Sequence, residues 1–234
     1  NIYSAYLQNE WRTDRWGFLV GARLDKHSLI HNAIVSPRAN IRFNPSPDVN
    51  LRASWSTGFR SPQTYDEDLH VAIVGGDRVV TILAPGLRQE SSNSISASAD
   101  LYHRFGNVQT NFLVEGFYTD LRDVFALRQL PDHDAAGNTV LERYNGSGAH
   151  VMGVNLEAKA FFSSTLDIQA GVTLQRSRYK QPEQWSDNPD VPAGKHMFRT
   201  PDAYGYLTAN IGITKALKAS VNATWTGPMT VQHL

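Results

Sequence analysis

Apolar and polar residues alternate along most of this chain with a period of two, and nowhere does a helical rhythm compete. A period of two sends successive side chains to opposite faces of a sheet, so the chain is confined to β-structure. The clearest stretch is residues 36–58. Ala39, Ile41 and Phe43 fall on one side, and Arg38, Asn40, Arg42 and Asn44 on the other. After Pro45-Ser46-Pro47-Asp48, Val49, Leu51, Ala53 and Trp55 oppose Asn50, Arg52, Ser54 and Ser56. Proline cannot donate to a ladder, so the quartet between the two runs is a turn. Alternation alone would also suit a soluble sheet with one wet face. The connections decide between the two settings.

Further strands are expected near residues 2–11, 16–25, 95–101, 108–128, 140–144, 151–162, 166–175, 207–213 and 217–225, about ten principal strands in all. Short turns fall near 12–15, 45–48, 104–107, 163–165 and 214–216, and long connections near 26–35, 59–90, 129–148 and 180–202. The two kinds alternate strictly, which puts every short turn on one edge and every long loop on the other. Transmembrane barrels show this asymmetry, with girdles of aromatic residues at both interfaces. Trp11, Trp16, Phe43, Phe105, Phe161 and Phe162 gather beside the short turns, while Trp55, Phe59, Tyr118, Tyr179 and Trp225 lie toward the loops. The expected fold is an all-β, antiparallel, up-and-down transmembrane β-barrel segment. Ala39, Ile41, Phe43, Leu51, Ala53, Leu156, Ala158, Ile168 and Leu207 should share its outer surface, with the arginines opposite.

Composition agrees and narrows the function. The 22 basic and 22 acidic side chains cancel, which argues against a nucleic-acid partner. With no cysteine there are no disulfides, thiolate metal sites or thiol nucleophiles. The mean hydropathy of −0.36 looks soluble. Barrel strands average out to such values, because lipid-facing and lumenal residues alternate. No nucleophile elbow, metal-binding helix motif or glycine-rich phosphate loop is present, so neither an enzyme nor a cofactor is expected. No charged-then-apolar leader opens the chain. The chain is expected to be a fragment or a processed piece.

The run from Ser36-Pro37-Arg38 through Leu51-Arg52 to Gly58-Phe59-Arg60-Ser61-Pro62 resembles the barrel of TonB-dependent outer-membrane receptors. Weaker echoes follow in the family's order: YLQNEW at 6–11, FYTDLRDV at 117–124, GVNLEAK at 153–159 and the Thr226-Gly227 exit. The resemblance implies part of a barrel of roughly 22 strands with a plugged lumen. It places the chain in the C-terminal part of such a barrel, in the outer membrane of a Gram-negative bacterium. The plug, the TonB-contacting segment and the last strands would lie outside residues 1–234. The implied function is TonB-dependent uptake of a scarce nutrient: a ferric siderophore, haem or a corrinoid. The implied partners are outer-membrane lipid, the receptor's own plug and the TonB complex.

Two groups of residues are candidates for binding. Arg38, Arg42 and Arg52 lie on the expected lumenal face, with Arg60 just beyond it, suited to a plug contact or an anionic chelate through charge-assisted hydrogen bonds. An ordinary polar barrel interior would also carry them. Tyr65-Asp66-Glu67-Asp68-Leu69-His70 opens the long loop and Trp185, His196 and Met197 sit in the 180–200 loop, the segments expected to touch cargo. An exposed acidic loop start is the plainer account of the first. Asp132 to Asn138 begins like a calcium loop, but Ala136 and Arg143 occupy ligand positions, so a hairpin tip is expected and no metal site. Two other classes compete: a passive porin or adhesive barrel, and a soluble β-sandwich binding module. The sandwich predicts Val20, Leu51, Leu156 and Ile168 in a dry core between two sheets.

Overall fold

A computed structural model describes residues 1–28, 30, 32–62, 79–183, 192–214 and 216–231, and every helix-or-strand element among them is a strand. In chain order these are β1 (Ile2–Arg12), β2 (Trp16–His27), β3 (Ile34–Ser46), β4 (Val49–Arg60), β5 (Val79–Leu83), β6 (Glu90–Phe105) and β7 (Val108–Arg122). Then follow β8 (Phe125–Gln129), β9 (Thr139–Asn145), β10 (Ala149–Ser163), β11 (Leu166–Glu183), β12 (Gly194–His196), β13 (Ala203–Gly212) and β14 (Lys218–Thr226). One sheet runs β1-β2-β3-β4-β6-β7-β10-β11-β13-β14, antiparallel at every step, with β12 attached to β11. It is open, with β1 and β14 as its two edges. The fold is thus all-β and up-and-down, as the alternation requires.

Short turns close one end of the strands. Thr13 N donates to Trp16 O at 2.8 Å, and Trp16 N donates back to Thr13 Oγ1 at 3.0 Å. Gly106 turns the β6–β7 hairpin at φ 61°, where a side chain would be strained. Beside these turns Trp16 stacks on Phe43 at 4.2 Å between ring centres and on Phe18 at 5.7 Å. The aromatic gathering near residue 16 is therefore one packed cluster.

Register carries the face assignment across the sheet. Phe18, Ile41, Ala53, Ala97, Gly116, Val154 and Leu174 occupy one continuous cross-strand row. An adjoining row on the opposite face reads Gly17, Arg42, Arg52, Ser98, Glu115, Asn155, Thr173 and Tyr204. The polar face satisfies itself laterally. Ser54 bonds Ser96, Ser94 bonds Thr119, Asn155 donates to Glu115, and Thr173 donates to Asn155. Large apolar residues stay uncovered on the other face, and the described residues bury only Ile30, Val140 and Ala149 as apolar core. Val20 is 53% exposed, Leu51 38% and Leu156 39%, and Ile168 is also not fully buried. That removes the dry core a β-sandwich needs.

Four expectations need correction at the loop edge. The stretch 59–90 is not wholly unpatterned: β4 reaches Arg60, β6 starts at Glu90, and β5 lies between them. Residues 108–128 do not form one strand, because Asp123 takes a left-handed φ of 55° and turns the chain into β8. The 180–200 connection is shorter than expected, since β11 continues to Glu183 and β12 rejoins it at Arg178. Tyr179 is no part of an outer girdle; its neighbour Ala149 and the buried Ser177 mark the polar face.

Candidate functional site

Two features stand out, one on the polar face and one at the loop edge. On the polar face Arg42 and Arg52 are directly opposed across β3 and β4, an arrangement that like charges disfavour. Arg38 lies two polar-face steps away, beyond Asn40, and opposite Ser56. Glycines on β2 make the room: a Cβ on Gly17 would lie 3.4 Å from Arg42 Nε, and one on Gly21 3.4 Å from Arg38 Nε. Arg38 donates to Gln8 Oε1, and Arg52 donates to Asn50 Oδ1 at 2.8 Å. Arg12 grips Glu10 with two bonds of 2.6 and 2.8 Å, and Arg52 lies 3.9 Å from Asp100. Two carboxylates therefore answer four arginines. Arg42 Nε is buried and makes no hydrogen bond among the described residues. A hollow of about 540 Å³ opens over Arg38, Arg42, Arg52, Gln8 and Glu10. Such a surface suits a group bearing carboxylates or other oxyanions.

At the loop edge β5, β9 and β8 form a second sheet, in which β5 runs parallel to β9 and β9 antiparallel to β8. It joins the loop after β4 to the loop after β7. Asn145 makes the clamp: its Oδ1 accepts Arg88 N at 2.9 Å, and its Nδ2 donates to Arg88 O at 2.9 Å and Asp123 O at 2.8 Å. Arg88 also reaches Asp123 Oδ1 at 2.6 Å. The small sheet is anchored to the wall through Glu90, which accepts Phe125 N and lies 3.6 Å from Arg60. Arg60 and Arg143 both approach the Phe125 ring, at 5.6 and 5.9 Å.

Within this sheet Arg128 donates to Glu142 at 2.7 Å and lies over Tyr144. Burial pushes the Tyr144 hydroxyl up from its usual pKa, with Glu183 adding to the effect and Arg128 opposing it. At the hairpin tip both Asp134 oxygens serve their own turn. Oδ1 accepts Ala136 N and Asn138 N, and Oδ2 accepts Asn138 Nδ2. Those bonds, led by the Asn138 side-chain amide, hold the Asp134 carboxyl below its ordinary pKa.

The structure thus brings Arg38, Arg42 and Arg52 together and sets Arg60 apart, at the root of the loop sheet. His196 lies on β12 opposite Arg178. Tyr65, Asp66, Glu67, Asp68, His70 and Trp185 fall outside the described residues. Sequence reasoning missed Glu90, Phe125, Arg143 and the Asn145 clamp.

An up-and-down antiparallel sheet with an uncovered apolar face, a hydrogen-bonded polar face and loops of unequal length at its two ends is a section of a transmembrane β-barrel wall. The chain belongs to the family described as TonB dependent receptor-like, beta-barrel, whose profile matches residues 1–232. No curated protein matches the sequence. Among solved structures it is similar to the siderophore receptor PirA from Pseudomonas aeruginosa, with 16% identity, 95% of this chain and 39% of that chain covered, and a TM-score of 0.70. It is also similar to a variant of the ferric enterobactin receptor PfeA from Pseudomonas aeruginosa in complex with enterobactin, with 16% identity, 97% and 32% covered, and a TM-score of 0.66. The FrpB iron transporter from Neisseria meningitidis gives 19% identity, 90% and 33% covered, and a TM-score of 0.58. The chain therefore spans between 32% and 39% of the length of these three proteins.

Proposed function

We propose that this chain is part of the wall and the extracellular loops of a TonB-dependent receptor in the outer membrane of a Gram-negative bacterium. Its cargo is a ferric siderophore. The observation that carries the reading is likeness over at least 90% of the chain to receptors described by siderophores or iron. That likeness favours a ferric chelate over haem or a corrinoid, and family membership leaves the porin and adhesive readings without support.

In this reading the short turns face the periplasm and the β5–β9–β8 sheet faces outward. Cargo is met by Tyr65, Asp66, Glu67, Asp68, His70 and Trp185, with Arg60 and His196 at the roots of their loops. Arg38, Arg42 and Arg52 face the plug, whose carboxylates would meet the cationic surplus beside Glu10 and Asp100. Capture by the loops precedes a TonB-driven rearrangement of the plug.

The test is growth on ferric chelates under iron limitation by a strain carrying the full-length receptor. Uptake should vanish when TonB is removed. In Arg60→Ala, chelate binding should weaken about tenfold, the loss of one charge-assisted contact. Arg42→Glu with Arg52→Glu should leave binding intact and abolish transport. Uptake independent of TonB would refute the receptor reading.

A further inference from the structure

The apolar outer face ends abruptly on three neighbouring strands. Along β11 the outward positions read Leu166, Ile168, Ala170, Val172 and Leu174, then Arg176, Arg178 and Lys180. Arg176 shares a row with Met152 and Tyr118, which are apolar and aromatic. One row higher, Asp120, His150 and Arg178 are aligned, and Arg122 ends β7 above them. The Tyr118 and His150 rings stack at 6.5 Å, which puts both on one surface.

Height decides what this surface meets. Arg176 stands ten residues along β11 from Leu166, the first residue after the short turn. At about 3.3 Å per residue and a strand tilt of about 40°, that is roughly 25 Å, the full height of the apolar band of a barrel. Arg176 is therefore level with the headgroups on the loop side, and Arg178 and Lys180 stand higher.

Charge decides the chemistry. Asp120 accepts Lys180 at 2.6 Å and Arg122 at 3.0 Å, and Asp202 lies 3.4 Å from Arg178. Four cations thus face two carboxylates. The exposed Arg176 guanidinium makes no hydrogen bond or ion pair among the described residues. A cation on a lipid-facing surface is costly in hydrocarbon and cheap where it reaches an anionic headgroup.

We infer that Arg122, Arg176, Arg178 and Lys180 form a binding site for the phosphate groups of an outer-leaflet lipid, with the acyl chains lying along Met152, Val154 and Leu174. A planar guanidinium suits a phosphate, with two parallel donors for two oxygens. The inference rests on the outer-membrane reading and is independent of the cargo.

The test uses the full-length receptor in dodecyl maltoside micelles doped with synthetic diphosphoryl lipid A. Native mass spectrometry reads the lipid retained per barrel. The parent should retain lipid A, and its monophosphoryl form more weakly. Arg176→Gln should cut retention about fivefold, and Arg176→Gln with Lys180→Gln roughly 25-fold, at about fivefold per cation near a headgroup. Arg176→Lys, which keeps the charge and loses the paired donors, should fall between Arg176→Gln and the parent, and Arg15→Gln, at the opposite edge, should change nothing. Unheated gel mobility reports that each variant is folded; Arg176→Gln removes no bond seen in the fold and serves alone if the double variant does not fold. Equal retention by Arg176→Gln and parent would overturn the inference. Displacement by inorganic phosphate as effective as by lipid A would overturn it too, since the site would then bind a free anion. A receptor that retains lipid A but transports no ferric chelate would refute the earlier reading and leave this one standing.

Discussion

Replacing Asn145 with alanine should release the loop after β4 from the loop after β7 while leaving the wall intact. The side chain makes three bonds, at 2.9, 2.9 and 2.8 Å, to the backbones of Arg88 and Asp123. Two of them are exposed, so each contributes toward the low end of about 0.5–1.5 kcal/mol, and the set about 2 kcal/mol. That free energy corresponds to roughly a 30-fold change in a local opening equilibrium. Hydrogen exchange on the full-length receptor should therefore show amides of β5 exchanging about 30-fold faster in Asn145→Ala. Amides of β10 and β11 should be unaffected. Asn145→Asp keeps the acceptor for Arg88 N but turns a second acceptor toward the Arg88 and Asp123 carbonyls, so it should release β5 at least as much as Asn145→Ala. Unchanged β5 protection in Asn145→Ala would show that the five-pair β5–β9 ladder holds the loops without the clamp.

Three further outcomes follow from face, turn and packing. Val172→Arg points into lipid near mid-height and should cost about 2–4 kcal/mol in vesicles, whereas the neighbouring Thr173→Arg points inward and should cost about 1 kcal/mol for its bond to Asn155; denaturant midpoints that rank them the other way would reverse the faces. Asp134 is held below the ordinary value of about 3.8 by Asn138 and Ala136, so it supports the hairpin tip above that pH. The support should be lost as pH falls below 3.8 toward the depressed value, seen as rising exchange at residues 134–138 in the parent and none of this pH dependence in Asp134→Ala. A Cβ on Gly171 would lie 2.4 Å from the Tyr206 ring, which bonds Gln169 at 2.6 Å. Gly171→Ala should destabilise the barrel by about 1–3 kcal/mol, and a paired Tyr206→Ala should relieve the clash, read from the same denaturant midpoints.

The wall was legible in the sequence because its physics is local. Each strand from Tyr3 to Trp225 repeats the same demand, apolar toward lipid and polar toward the lumen, so its face follows from parity alone. The Pro45–Asp48 turn and its counterparts then set direction. The loop sheet follows other rules. Val79 to Leu83 is too short for its pattern to stand out, and its partner is some sixty residues away in sequence. Asp123 breaks a run that looks continuous, since nothing in the sequence announces a left-handed backbone at an aspartate. The arginines were readable by residue type and face. Their juxtaposition was not, because Arg42 meets Arg52 only through the register that the β3–β4 irregularity near Phe43 and Ser46 imposes.

The parallel pairing of β5 with β9 has a consequence for how such a surface can change. Loops of a barrel are commonly treated as independent modules, each free to be exchanged while the scaffold stays. Here a graft replacing residues 61–89 alone would strand one edge of β9 and orphan the Asn145 amide, and a graft of 123–148 alone would do the same to β5. The heritable unit of variation at this end of the wall is the two loops together. Recombination or engineering that moves them as one cassette should keep a folded rim; moving either singly should not.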